Sequence, residues 1–228
     1  MTAGGFVEAG GWRRPDRLRA AVRLYVVVDP EQSAGRPPLT VAQAALLGGA
    51  TAIQLRYPRG GARELCALGA AMAQLCASHG ALFVVNDRLD VALACGAAGV
   101  HLGQEDLPCD RARAIGGPDL VIGVSAATPA EALHAETDGA DYLGVGSVYG
   151  TASKPDAGEP IGCAGLAVVA RATTLPVVGI GGIRAARVSD VRRAGAVGVA
   201  VISAVCSAAD VRTATVELAA SLDVGVEV

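Results

Sequence analysis

The chain has 228 residues, 52% hydrophobic, 18% charged and only 3% aromatic, a balance that excludes a disordered polymer. Its 30 glycines follow no three-residue period, which excludes collagen. A net charge of −3 excludes general attraction to nucleic acid or an anionic membrane, so any anion site must be local.

Taken in chain order, residues 1–20 are rich in Gly and Arg without periodicity and read as a loosely attached extension. Met1–Gly11 has no apolar stretch of signal-peptide type, and Arg13, Arg14, Arg17 and Arg19 come after it. From residue 21 to 228 one alternation repeats. Short β-branched runs predict buried parallel strands at Leu24–Val28, Ala52–Leu55, Leu82–Val85, Gly99–His101, Val121–Val124, Tyr142–Val145, Pro176–Gly179 and Gly198–Val201. Between and after them, helices are predicted at Thr40–Leu47, Ala62–Ser78, Arg88–Cys95, Cys109–Ile115, Pro129–Thr137, Cys163–Ala170, Ala185–Ala194 and Ala208–Ala219. Thr40, Asp87, Thr128 and Ser207 stand where N-caps belong, and Gly80, Gly96, Gly139 and Gly195 stand where helices stop.

Eight such units with no break in composition predict one α/β domain, a (β/α)8 TIM barrel over 21–228. A doubly wound sheet would also alternate strand and helix. One long uncharged run, Ala194–Ala209, is short for a membrane span and is interrupted by glycines and serines. Six cysteines (66, 76, 95, 109, 163 and 206) form no C-x-x-C pair and read as free thiols of a cytoplasmic protein.

Polar residues begin where each strand stops. They are Asp29 after the first, Gln54 and Arg56 at the second, Asn86 and Asp87 at the third, and His101, Gln104 and Asp106 at the fourth. Ser125 follows at the fifth, Thr151, Ser153 and Lys154 after the sixth, Gly181 and Gly182 after the seventh, and Ile202 and Ser203 after the eighth. In a closed barrel these ends share one rim, so the residues converge on one pocket. Any one of them could equally be a residue that simply opens a loop. Asp87 and Asp106 lie on neighbouring strand ends, and their hard oxygens suit Mg²⁺; the other reading is a helix cap and a loop turn. His101 reads as a hydrogen-bonded structural histidine sooner than a catalytic base. Val178-Gly179-Ile180-Gly181-Gly182-Ile183, with Ile202-Ser203, reads as a phosphate cradle, although tight turns use the same residues. The segment 146–155, with two hydroxyls beside Lys154 and with Pro155, suits a second phosphate and a mobile lid, or else a solvated surface loop.

These residues resemble thiamine phosphate synthase. The resemblance rests on Gln54-Leu55-Arg56, on Asn86-Asp87-Arg88-Leu89-Asp90-Val91-Ala92-Leu93 and on 99–108 (GVHLGQEDLP). Gly123-Val124-Ser125, Thr151-Ala152-Ser153-Lys154, the 179–183 turn and Val201-Ile202-Ser203 add to it, in family order over 23–205. The resemblance implies condensation of hydroxymethylpyrimidine diphosphate with hydroxyethylthiazole phosphate, releasing pyrophosphate, on a TIM barrel with Mg²⁺. It implies Asp87 and Asp106 as metal ligands, and Gln54, Arg56, Asn86, Ser125 and Lys154 on the pyrimidine diphosphate, the last four as catalytic groups. Thr151, Ser153, Gly182, Ile202 and Ser203 would contact the thiazole phosphate. The implied partners are these small molecules, not nucleic acid or membrane, and a homo-oligomer is compatible.

Three departures stand out. Pro58 replaces the family's usual lysine, with Arg59 next, so the diphosphate either does without that cation or meets Arg59 in its place. Ser153 replaces a threonine, and Tyr149-Gly150 replaces Phe-Pro. The expected chemistry is dissociative loss of diphosphate followed by capture by the thiazole nitrogen. Two rivals are a thiazole tautomerase, whose histidine after the fifth strand is here Ser125-Ala126-Ala127-Thr128, and a non-catalytic barrel that binds thiazole phosphate or diphosphate.

Overall fold

Eight parallel strands form a closed barrel in the computed structural model, which describes residues 11–154 and 157–223. The strands are β1 (Leu24–Val28), β2 (Ala52–Leu55), β3 (Leu82–Asn86), β4 (Gly99–Leu102), β5 (Val121–Ala126), β6 (Tyr142–Val145), β7 (Val177–Ile180) and β8 (Gly198–Val201). The helices are α1 (Pro15–Ala21), α2 (Pro38–Leu47), α3 (Ala62–Ser78), α4 (Leu89–Cys95), α5 (Cys109–Gly116), α6 (Pro129–Thr137), α7 (Gly162–Ala172), α8 (Val188–Arg193), α9 (Ser203–Cys206) and α10 (Val211–Asp223). Pro155, residues 1–10 of the expected extension and 224–228 of the expected domain lie outside the described residues.

β1 pairs in parallel with both β2 and β8, which closes the sheet and excludes the doubly wound alternative. Both faces of the strands are covered, and this is why their sequences are apolar throughout instead of alternating. Outward residues such as Val26, Ile53, Phe83 and Leu143 pack under the helices. Inward residues, among them Tyr25, Ala52, Leu82, Val84, Val121, Tyr142, Val178 and Ala200, fill the barrel.

The reading of 1–20 as loosely attached is corrected for its described part. α1 buries Leu18 and Ala21 among the inward residues, with Trp12 beside them, so it covers the barrel's amino-terminal mouth. Helix starts differ as well. Thr128 caps α6 by accepting from Glu131 N at 3.2 Å, as expected. Thr40 lies inside α2, whose N-cap is Pro37; α4 is capped at Arg88, not Asp87; and α10 begins after Asp210, not at Ser207. Asp210 Oδ1 accepts from Thr213 N at 2.9 Å. The predicted helix over 185–194 divides into a 3-10 turn (Ala185–Arg187) and the six-residue α8. Among the described residues no helix is long and apolar enough to cross a membrane.

Asp141, at the start of β6, ties the bottom together. Its carboxylate accepts from Arg13 Nε at 2.7 Å, Arg113 at 2.7 Å and Ile122 N at 2.8 Å, and the residue is 8% exposed. Asp141→Ala strands the buried Ile122 N–H and removes the carboxylate partner of Arg13 and Arg113. Urea unfolding should show a loss of about 2–4 kcal/mol.

Candidate active site

The carboxyl ends of the strands open into a cavity of about 840 Å³. All twelve residues singled out by sequence line it: Gln54, Arg56, Asn86, Asp87, Asp106, Ser125, Thr151, Ser153, Lys154, Gly182, Ile202 and Ser203. Barrel closure brings them together, since Gln54 on β2 and Ile202 after β8 are both one strand away from β1.

Asp87 follows β3 with φ +62°, a left-handed conformation that only a few non-glycine residues, Asp among them, adopt readily. Its N–H donates to the His101 carbonyl at 2.8 Å, and its carboxyl lies within hydrogen-bonding reach of Asp106. Asp106 is held in turn by Gly103 N at 2.6 Å. Desolvation in the cavity, reinforced by Asp106, pushes the Asp87 carboxyl up to about 7, while Lys154 and Arg56 pull it down. Two acids pressed together this way need a proton or a cation between them. Among the described residues no group of three or more His, Cys, Asp or Glu gathers for a metal. A two-carboxylate site fits Mg²⁺, which keeps several waters and takes phosphate oxygens as further ligands.

Arg56 is fixed by an ion pair with Asp29, a residue only 1% exposed at the end of β1. A chain of polar contacts then crosses the barrel below the cavity. Gln54 Nε2 donates to Tyr25 OH at 3.0 Å, and the Tyr25 and Tyr142 hydroxyls meet at 2.9 Å. His101 Nδ1 lies 3.1 Å from Tyr142 OH, and its Nε2 lies 3.0 Å from Ser125 Oγ. Desolvation, with help from Lys154, lowers the His101 imidazole to about 4, so it is neutral near pH 7, with a hydroxyl against each ring nitrogen. Burial raises both tyrosines, which stay protonated.

The segment 146–155 begins with an anchored stretch. Val148 N donates to Ile180 O at 2.8 Å and Tyr149 N to Gly181 O at 3.0 Å. The Arg187 guanidinium stacks 4.3 Å from the Tyr149 ring centre and donates to Gly182 O at 2.8 Å. Gly181 and Gly182 have φ +101° and +64°, and a Cβ on either would collide with Ser147 or Gly150. Both positions of this turn therefore need glycine, and the helix that follows, α8, has only six residues.

Tyr25, Tyr142 and Arg184 line the cavity although the sequence singles none of them out, while Asp29, expected at the rim, supports it through Arg56. For the tyrosines a signal exists. Gly123 pairs with Tyr142, and a Cβ there would collide with that ring, so a glycine inside an apolar strand marks a large inward neighbour. Arg59, beside the Pro58 that displaces the lysine, turns away from the cavity in this structure. Its side chain is 83% exposed, lies 3.3 Å from Glu31 and is not part of the cavity wall.

A family model described as thiamine monophosphate synthase matches residues 24–205. The thiamine-phosphate synthase of Moorella thermoacetica is 56% identical over 191 residues, covering 84% of this chain and 91% of that protein. That of Roseiflexus castenholzii is 52% identical, covering 84% of each. The solved thiamine phosphate pyrophosphorylase of Pyrococcus furiosus superposes with a TM-score of 0.84 at 44% identity, covering 91% of this chain and all of that one. The tautomerase and sensor alternatives find no support in these similarities.

The carboxyl pair has a pH signature. Between about 4 and about 7 the folded chain holds a proton on Asp87 that the unfolded chain, with its ordinary carboxyl near 3.8, has lost. Stability from this group is therefore lost as pH rises through that window. His101 acts the other way, its contribution being lost as pH falls from 6.5 toward about 4. The stability of the wild type relative to Asp87→Asn cancels the histidine. Measured by urea unfolding in divalent-free buffer, it should fall steadily from about pH 4 to about pH 7, and a flat difference would exclude a shared proton.

Proposed function

The chain belongs to the thiamine monophosphate synthase family, and from that premise we propose how its cavity joins hydroxymethylpyrimidine diphosphate to hydroxyethylthiazole phosphate, giving thiamine phosphate and pyrophosphate. The observation that carries the reading is the grouping of Asp87 and Asp106 with Lys154 and Arg56 in one cavity.

Asp87 and Asp106 would hold Mg²⁺, which when bound supplies positive charge for the diphosphate oxygens. Arg56, preorganised by Asp29, and Lys154 on the lid take up the negative charge that grows on the diphosphate as its bond to the pyrimidine methylene breaks. The electron-rich aminopyrimidine carries the resulting cation, and the thiazole nitrogen supplies the electron pair that captures it. No protein nucleophile is needed. Asn86 orients the leaving group, while Gln54 and Ser125 orient the ring. Each of these two ring contacts is held by a partner beneath it, Gln54 by Tyr25 and Ser125 by His101. Neutral His101 adds no further positive charge beside the developing cation.

On the opposite side, Thr151, Ser153, the Gly182 turn and the Ile202-Ser203 corner would cradle the thiazole phosphate. Ser153 is buried, and its N–H donates to Thr151 Oγ1 at 3.1 Å, a local turn that presents both hydroxyl residues to the cavity. Closure of the lid from Gly150 onward would exclude water from the cation. Six free cysteines, four of them buried, fit a reducing cytoplasm.

The test is pyrophosphate release on mixing both substrates, with and without chelator. Release should require the divalent ion, and Asp87→Ala should lower kcat about 10²–10³-fold, as removal of one electrostatic stabiliser does elsewhere. Lys154→Ala should lose a similar amount. Near-normal turnover by Asp87→Ala in Mg²⁺ would overturn the metal assignment.

A further inference from the structure

The groups proposed above for the thiazole phosphate are hydroxyls and backbone N–H groups, with no cation among them to face a dianionic phosphate. Three cations line the cavity among the described residues: Arg56, Lys154 and Arg184. Arg56 is committed to Asp29, and Lys154 lies within electrostatic reach of Asp87. Arg184 directly follows the Gly181-Gly182-Ile183 turn, on the thiazole side, and has no carboxylate partner among the described residues.

A second, independent feature marks the same turn. Ser147 is 4% exposed, lines the cavity, and its Oγ is a buried hydroxyl with no hydrogen-bond partner among the described residues. It packs so closely on Gly181 that a Cβ there would collide with it. A buried hydroxyl left unmatched is costly unless a ligand oxygen or water meets it. The local charge agrees. Every described carboxylate in the cavity wall (Asp87, Glu105, Asp106 and Glu131) follows β3, β4 or β5, and none follows β7 or β8.

We propose that Arg184 is the charged ligand of the thiazole phosphate, with the Ser147 hydroxyl as a further donor to the same group. The proposal rests on the synthase reading and adds the substrate-discriminating residue: Arg184 selects a phosphorylated thiazole over the free alcohol. A planar guanidinium suits two phosphate oxygens at once.

Steady-state kinetics at saturating pyrimidine diphosphate test it. Arg184→Gln should raise the KM for hydroxyethylthiazole phosphate about 10–100-fold, the range of a charge-assisted contact, with kcat nearly unchanged. The KM for pyrimidine diphosphate should not move. Arg184→Lys should recover part of the loss, and Ser147→Ala should raise the same KM several-fold. The Ki of unphosphorylated hydroxyethylthiazole, competing for the same site, should be equal in wild type and Arg184→Gln. An unchanged KM for the phosphate, or a Ki for the alcohol that rises as much, would overturn the proposal. If the wild type formed no thiamine phosphate, the synthase reading itself would fail, which is a separate outcome.

Discussion

The ladder between β1 and β8, three register pairs from Leu24↔Val199 to Val26↔Val201, is the constraint on which the site depends. Parallel pairing sends every strand's carboxyl end to the same rim. Closure turns that rim from a line into a ring. In an open sheet Gln54 and Ile202 would lie near opposite edges, whereas here they face one cavity from strands on either side of β1. The side-chain period of two does the rest. Tyr25, Gln54, Asn86, Ser125 and Tyr142 point inward because their neighbours in sequence are held outward under helices.

Closure also creates a difficulty that the sequence resolves locally. A barrel interior is small, yet this one encloses two tyrosines and a histidine. Space is found at Gly123 and Gly144, where a Cβ would run into Tyr142 and His101. Glycine weakens a strand, and in this barrel the loss is offset by polar contacts that glycine makes room for. The chain from Gln54 through Tyr25, Tyr142 and His101 to Ser125 leaves no member unmatched at either end. Buried polar groups satisfied in this way are rigid, and rigidity at Gln54 and Ser125 holds in place the two groups that would orient the pyrimidine ring.

Much of this is legible in the sequence, because the signals that define a βα unit are local. The runs Leu24–Val28 and Tyr142–Val145 carry their burial in their composition, and Thr128 carries its cap in its hydroxyl. The candidate site residues are legible for a related reason: they stand at, or within several residues of, the carboxyl end of an apolar strand. What escapes depends on partners far apart in sequence. Asp29 fixes Arg56 from 27 residues away, and Tyr25 meets Tyr142 across 117. Asp87 looks like a cap because it precedes a helix. Its left-handed backbone takes it out of that role and toward Asp106. Arg59 looks like a substitute for a missing lysine, but it reaches Glu31 instead of the cavity. The Leu18 plug escapes because a buried residue on a short Arg-rich helix has no periodic signature.

The two halves of the cavity differ in charge, and that difference can sort the substrates before any chemistry begins. The acids after β3 to β5 repel a bare phosphate, so an anion enters that half only with a cation to offset them. A diphosphate chelates a divalent ion well and arrives with it; a monophosphate does so less well. The half formed after β7 and β8 has no described carboxylate and carries the glycine turn, Ser203 and Arg184, so on the proposed reading it would accept a monophosphate without a metal. A chain that placed acids on both sides would bind neither phosphate without help, and one with acids on neither side could not tell the substrates apart by charge. On the proposed reading this asymmetry would set the direction of the reaction across the barrel, with the leaving group drawn toward the acids and the ion they would hold, and the nucleophile held by its phosphate on the other wall.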